Sequence, residues 1–152
     1  MKLFRPLTLL TLLLALAAFT LSTAAAQDEK VIVIGHAEIT EAYDPAQAFN
    51  PTSGIVNRAS YDTLVTFPAG DASSIEPLLA ESWEVSADGL TYTFTLRSDV
   101  TFANGDPLTG EDAVFSFNRL KNVKGQPSFL TDPIASVESP DESTVVITLT
   151  EA

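Results

Sequence analysis

From Trp83 to Leu96 apolar and polar residues take turns along the chain. Trp83 and Val85 alternate with polar neighbours, Asp88-Gly89 interrupts, and Tyr92, Phe94 and Leu96 then alternate with Thr91, Thr93, Thr95 and Arg97. A period of two on both sides of a turn dipeptide predicts a β-hairpin with an aromatic buried face and a threonine-rich wetter face. Val100 and Phe102 continue the apolar face past a bulge expected at Ser98-Asp99, and Asn104-Gly105 marks a further turn. The period then changes. Thr109 stands three residues before Asp112, and Ala113, Val114, Phe117 and Leu120 recur at helical spacing. Acidic residues at its start and Arg119, Lys121 and Lys124 at its end suit the helix dipole, and Gly125 and Pro127 stop it. A second hairpin follows: Ile134 to Glu138, a turn at Pro140-Asp141-Glu142, and Thr144 to Thr150 with Val145, Ile147 and Leu149 on one face.

Upstream the pattern is less regular. Val31-Ile32-Val33-Ile34, closed by Gly35, is apolar on both faces and predicts a strand buried from both sides. Asp44-Pro45 and Asn50-Pro51 make residues 38–51 loop or extended chain. Thr52 or Ser53 caps a short helix through Ile55, Val56 and Ala59 toward Tyr61, and Leu64 to Phe67 forms a short strand. Pro68 to Ser74 is rich in turn residues.

The extreme N-terminus has a different character. Lys2 and Arg5 precede an uncharged apolar stretch from Leu7 to Leu21, and Ala24-Ala25-Ala26 precedes Gln27. This is the layout of a secretory signal peptide over residues 1–26, its apolar part short of the ~20 residues a membrane-spanning helix needs. Gln27 to Lys30 then forms a polar mature terminus. The chain contains no cysteine, which excludes disulfides, thiolate metal sites and lipid attachment through Cys. Its net charge is −12. Removing Lys2 and Arg5 leaves 6 of the 8 basic residues against 20 acidic ones, a net −14 beyond residue 26. Such an acidic surface disfavours nucleic acid and anionic membranes as partners.

Catalytic patterns are missing. His36 is the only histidine, so a two-His metal site or a His-based triad is not easily assembled. No nucleophile elbow, zincin, P-loop or dinucleotide fingerprint occurs. The acidic pairs Glu111/Asp112 and Asp141/Glu142 fall at a helix start and in a turn, where caps account for them. Trp83, Tyr92, Phe94 and Phe102 alternate on one face and read as core, with Trp83 alone also suited to a ligand wall. The sequence assigns no catalytic residue, metal ligand or cofactor.

Three stretches together resemble a known family: LAESWEVSADGLTYTFTLR at 79–97, VTFANGDPLT at 100–109 and EDAVFSF at 111–117. With YDTLV at 61–65 and Tyr43-Asp44-Pro45, they are similar to the extracellular solute-binding proteins of family 5, the peptide- and nickel-binding receptors of ATP-binding cassette importers. Ala103-Asn104 departs from the pattern, where a His or Arg and an Asp often precede the Gly. The resemblance implies a mixed α/β, two-lobed fold of the periplasmic-binding-protein type II. Of this, the chain would carry only the first strand of the large lobe, in 27–50, and a truncated β-rich accessory domain, in 51–152. It implies a monomeric receptor, exported to the periplasm or cell exterior, that delivers a peptide or other small solute to permease subunits. In such relatives, residues just after the first strand pair with a bound peptide's backbone; Glu38, Ile39 and Thr40 are the nearest positions here. The ending at Ala152, in or just after a strand, is expected to be a truncation. Two other classes stay open: an exported enzyme whose active site lies beyond Ala152, and a secreted β-rich adhesion or structural domain.

Overall fold

The computed structural model describes residues 31–33, 35, 37 and 42–152. The signal-peptide region, the polar stretch 27–30, Ile34, His36 and the candidate contacts Glu38, Ile39 and Thr40 lie outside the described residues. The chain divides into two units, one ending at Gly35 and the other beginning at His36. In the first, Val31, Ile32 and Val33 are not in a strand and are 71%, 85% and 88% exposed. This corrects the expected buried strand. A strand apolar on both faces is stable only where a sheet is covered by packed layers on both of those faces, and β-propensity alone does not supply them.

The second unit holds every described helix and strand: helix α1 (Pro51–Ser60), β1 (Val65–Thr66), β2 (Glu76–Pro77), β3 (Ala80–Val85), β4 (Thr91–Leu96), helix α2 (Gly110–Val123), β5 (Ile134–Asp141) and β6 (Thr144–Leu149). A 3-10 helix, Gln126–Thr131, follows α2. β1 and β2 form a small antiparallel pair. The other four strands form an antiparallel sheet in the order β3-β4-β6-β5. Both expected hairpins are present, and their pairing sets the core. Trp83 lies opposite Phe94, Val85 opposite Tyr92, and Phe94 opposite Val145 on the next strand. Phe94, Leu96, Val145 and Ile147 are buried with Ala80. Gly89, at φ 72, makes the tight turn between β3 and β4 that a side chain would resist. The pairing is regular between β4 and β6, whereas register shifts occur in β3 between Ala80 and Ser82 and in β5 at Ile134/Ser136 and Glu138/Asp141.

Helix α2 lies on this sheet through Ala113 and Phe117, two of the four residues of the stripe read from the sequence, and Val114 and Leu120 are not among the residues packed on the core cluster. Its start is fixed as expected: the backbone N–H and hydroxyl of Thr109 both donate to the Asp112 carboxylate, each at 2.8 Å. Lys124 ends it in the left-handed conformation, φ 54.

Three local expectations change. Asn50, not Thr52 or Ser53, caps α1: its side-chain oxygen accepts from the Ser53 N–H at 2.8 Å, and Pro51 takes the first helical position. Ser53 is instead buried and its hydroxyl donates to the Ala42 carbonyl at 2.8 Å. Ser98-Asp99 forms a turn braced by an Arg97–Asp99 ion pair at 2.9 Å, and the irregularity in pairing falls on β3 across the hairpin. Phe102 does not extend the buried face. It sits 46% exposed in a loop closed by the Thr101–Pro107 bridge, where its own N–H donates to the Asp106 carbonyl at 2.8 Å.

Candidate ligand-binding region

After the candidate contacts, the described residues resume at Ala42. The segment from there to Asn50 has little regular structure of its own, so its order depends on tethers. Asp44 supplies most of them. Its carboxylate accepts from the Ala46 N–H at 2.9 Å and from Gln47 Nε2 at 3.0 Å, folding Asp44 to Ala48 into a tight turn. The two terminal guanidinium nitrogens of Arg119, Nη1 and Nη2, also donate to it, at 2.7 and 2.6 Å, the two-pronged geometry that a planar guanidinium offers a carboxylate. The Arg119 guanidinium, and then the Ala46 N–H, hold the Asp44 carboxyl well below the usual carboxylate range. Arg119 sits on the same side of α2 as Asp112 and Ser116, seven and three residues earlier. The sequence pattern reads this arginine as a charge facing the helix C-terminus; its partner, 75 positions away, has no local signature. An acidic Asp-Pro turn needing a cation was the available hint.

Two further contacts hold the segment. A Cβ on Gly125 would collide with the carbonyl oxygen of Ala46, so the chain after α2 passes there only as glycine. The ring of Phe49 meets that of Phe129 edge-on, centroids 5.3 Å apart.

A second feature is an open cleft of about 650 Å³. Its walls include Leu64, Leu79, Val100, Phe102 and Leu108, and the core residues Phe94, Leu96 and Phe117 line it as well. It is bounded by Ala113, Ser116 and Phe117 of α2 and by Phe94, Leu96 and Ile147 of the sheet. Tyr61, Asp62, Asp112 and Ser116 are among its polar lining, and Asp112 is already committed to the helix cap. The sequence pattern missed this cleft because Phe102 was assigned to a buried face.

Three other acids serve turns. The Ser73 hydroxyl lowers the Asp71 carboxyl, the Ser86 hydroxyl lowers Asp88, and the Ser143 N–H lowers Asp141. Each shift favours the ionised form, opposite to the raised carboxyl a general acid requires at neutral pH. Among the described residues no group of three or more His, Cys, Asp or Glu could hold a metal ion. No helix among them is long and apolar enough to cross a membrane.

Comparison with known proteins gives consistent matches. The profile of bacterial extracellular solute-binding proteins, family 5, middle region, matches residues 74–152, which span β2 to β6. The probable D,D-dipeptide-binding periplasmic protein DdpA of Escherichia coli (strain K12) is 37% identical over 151 residues, covering 97% of this chain and 29% of that protein. Among solved structures, MoaA from A. tumefaciens R10 in complex with mannopinic acid superposes with a TM-score of 0.66 at 40% identity, covering 74% of this chain and 23% of the other. Haemophilus influenzae OppA complexed with RPPGFSPFR gives 0.65 at 27% identity, over 72% of this chain and 25% of that one. The chain thus spans less than a third of the length of each of these three proteins.

Proposed function

The chain belongs to the bacterial extracellular solute-binding proteins of family 5, and on that premise we propose that it forms the front part of an extracytoplasmic receptor for an ATP-binding cassette importer. The receptor captures a peptide or another small solute and hands it, unaltered, to permease subunits. Residues 1–26 direct export and are removed, residues 27–50 begin the large lobe, and residues 51–152 form its accessory domain. One observation carries the reading: the matched residues 74–152 coincide with the four-stranded sheet and α2, and the arrangement superposes on solute-binding proteins at 27–40% identity.

Glu38, Ile39 and Thr40 pair with the backbone of an extended ligand. Main-chain pairing supports such an interaction because every peptide offers the same donors and acceptors, leaving discrimination to side-chain pockets. Closure of a second lobe then excludes water, and reopening at the permease releases the solute. Nothing in this cycle needs an activated nucleophile, in keeping with acids that cap turns and helices.

The test uses the full-length polypeptide. Ligand retained through purification is identified by mass spectrometry, and added peptides are followed by thermal shift. At 100 times the dissociation constant, a binding peptide stabilises the folded state by about 2.7 kcal/mol. Recovery of cleaved peptides would move the assignment to an exported enzyme. Peptides left intact with no shift and no retained solute would favour a structural or adhesion domain.

A further inference from the structure

Between β4 and α2 the chain doubles back on itself at residues 101–107. Thr101 bridges Pro107, the Phe102 N–H donates to the Asp106 carbonyl at 2.8 Å, and the Gly105 N–H donates to the Phe102 carbonyl at 2.9 Å. Gly105 stands at φ 93, a backbone conformation that favours glycine, although a Cβ there would meet nothing within 4 Å. Backbone geometry, not space, therefore selects glycine after Asn104. That selection creates a chemical liability. In a mobile Asn-Gly pair the glycine nitrogen, with no side chain to hinder it, reaches the asparagine Cγ. A new C–N bond closes a five-membered succinimide, and the side-chain nitrogen leaves as ammonia, carrying the glycine proton. Water then adds to one of the two ring carbonyls. The ring opens to aspartate or to isoaspartate, in which the main chain runs through the former side-chain carbonyl.

We propose that Asn104 is a latent deamidation site, held off in the folded protein by the hydrogen bonds it shares with Asp106 and released when the 101–107 loop opens. The groups this reaction needs are all engaged. Asn104 Nδ2 donates to the Asp106 carboxylate at 2.7 Å, Asn104 Oδ1 accepts from the Asp106 N–H at 3.1 Å, and the Gly105 N–H is committed to the Phe102 carbonyl. Asn104, Gly105 and Asp106 are exposed, so water has free access and only geometry delays ring closure. Once it occurs, the change locks itself in. Nδ2 is replaced by a carboxylate oxygen that faces the Asp106 carboxylate, setting like charges where a hydrogen bond had been. Isoaspartate also adds a methylene to the backbone of the turn. Either product loosens Phe102 and Ala103, which line the cleft beside α2. None of this depends on which solute the receptor binds.

The experiment incubates the folded full-length protein, its Asp106→Ala and Asp106→Asn variants, and a synthetic peptide of residues 99–109 in mildly alkaline buffer. Digestion and mass spectrometry then follow conversion of Asn104 to aspartate and isoaspartate. The peptide should convert fastest, and folded wild type at least about tenfold more slowly, because the loop must open first. D106A should convert at a rate between the two, with its urea unfolding midpoint unchanged, so that the gain is local. D106N keeps an oxygen able to accept from Asn104 Nδ2 and should stay near the wild-type rate. Folded wild type converting as fast as the peptide overturns the proposal, as does a peptide that does not convert. D106A converting no faster than wild type removes Asp106 from it and overturns it equally. Should D106A fail to fold, the comparison of folded wild type with the peptide still decides.

Discussion

The N–H of Gly110 donates to the carbonyl of Glu142 at 2.8 Å, seating the first residue of α2 against the turn of the β5–β6 hairpin. The fit is close: a Cβ at Gly110 would collide with the Ser139 hydroxyl and lie 2.7 Å from the Thr144 carbonyl oxygen. Gly110→Ala should therefore destabilise by about 1–3 kcal/mol through overpacking. Gly54, within α1, faces open space and has no such constraint. Gly54→Ala should stabilise by about 0.5–1 kcal/mol because it restricts the unfolded chain. Urea unfolding of the two variants beside wild type checks the opposite signs.

Phe94 and Phe102 should behave differently although both are aromatic. Phe94 is 8% exposed in the sheet core, and its truncation to Ala should cost about 3 kcal/mol. That is the low end for a phenylalanine, since the adjoining cleft opens one side of the new cavity. Phe102→Ala should cost less than about 1 kcal/mol, because the ring is already half in solvent. Equal losses in denaturant unfolding would mean that the boundary of the core is misplaced.

The Asp44–Arg119 pair gives a pH dependence. The folded Asp44 carboxyl titrates below its unfolded value, so its stabilisation is fully present above about pH 5 and is lost as pH falls through and below the ordinary carboxylate range. Asp44 and Arg119 side chains are 25% and 38% exposed, so solvent screens the pair, and Asp44→Asn should cost about 1–2 kcal/mol at pH 7. The gap between wild type and D44N in thermal unfolding should close on acidification. A gap that widened instead would contradict the lowered carboxyl.

Asp112→Ala removes the acceptor of both Thr109 donors. The expected loss is about 1 kcal/mol, with faster amide exchange confined to the first turn of α2. Thr109→Ser keeps the hydroxyl and should retain most of the stability.

Residues 27–152 produced alone should bind no peptide at micromolar concentration, because the proposed cleft needs a second lobe. Calorimetry with a peptide mixture checks this, and micromolar binding would remove the need for the clamshell.

Elements held by neighbours in sequence could be read directly. The β3–β4 hairpin follows from alternation around Asp88-Gly89, and α2 from Thr109, Asp112 and the Ala113/Phe117 stripe. What escaped was non-local. The partner of Arg119 lies 75 residues upstream, and no periodicity carries that information. The run Val31–Val33 has high strand propensity yet is not in a strand, and propensity alone does not make a ladder. Phe102 kept the phase of β4, yet the turn at Ser98-Asp99 broke the strand before it. The candidate contacts Glu38, Ile39 and Thr40 came from family resemblance and lie outside the described residues.

The register shifts in β3 and β5 have a bearing on how copies of this protein coexist. These are the two outermost strands, and each carries exposed acids, Glu81 and Glu84 on one and Glu138 on the other, while β5 also contains Pro140. A neighbouring molecule trying to zip onto either rim would meet uneven hydrogen-bond spacing and like charge. Bulges and carboxylates on β3 and β5 thus work against edge-to-edge pairing between copies of these strands.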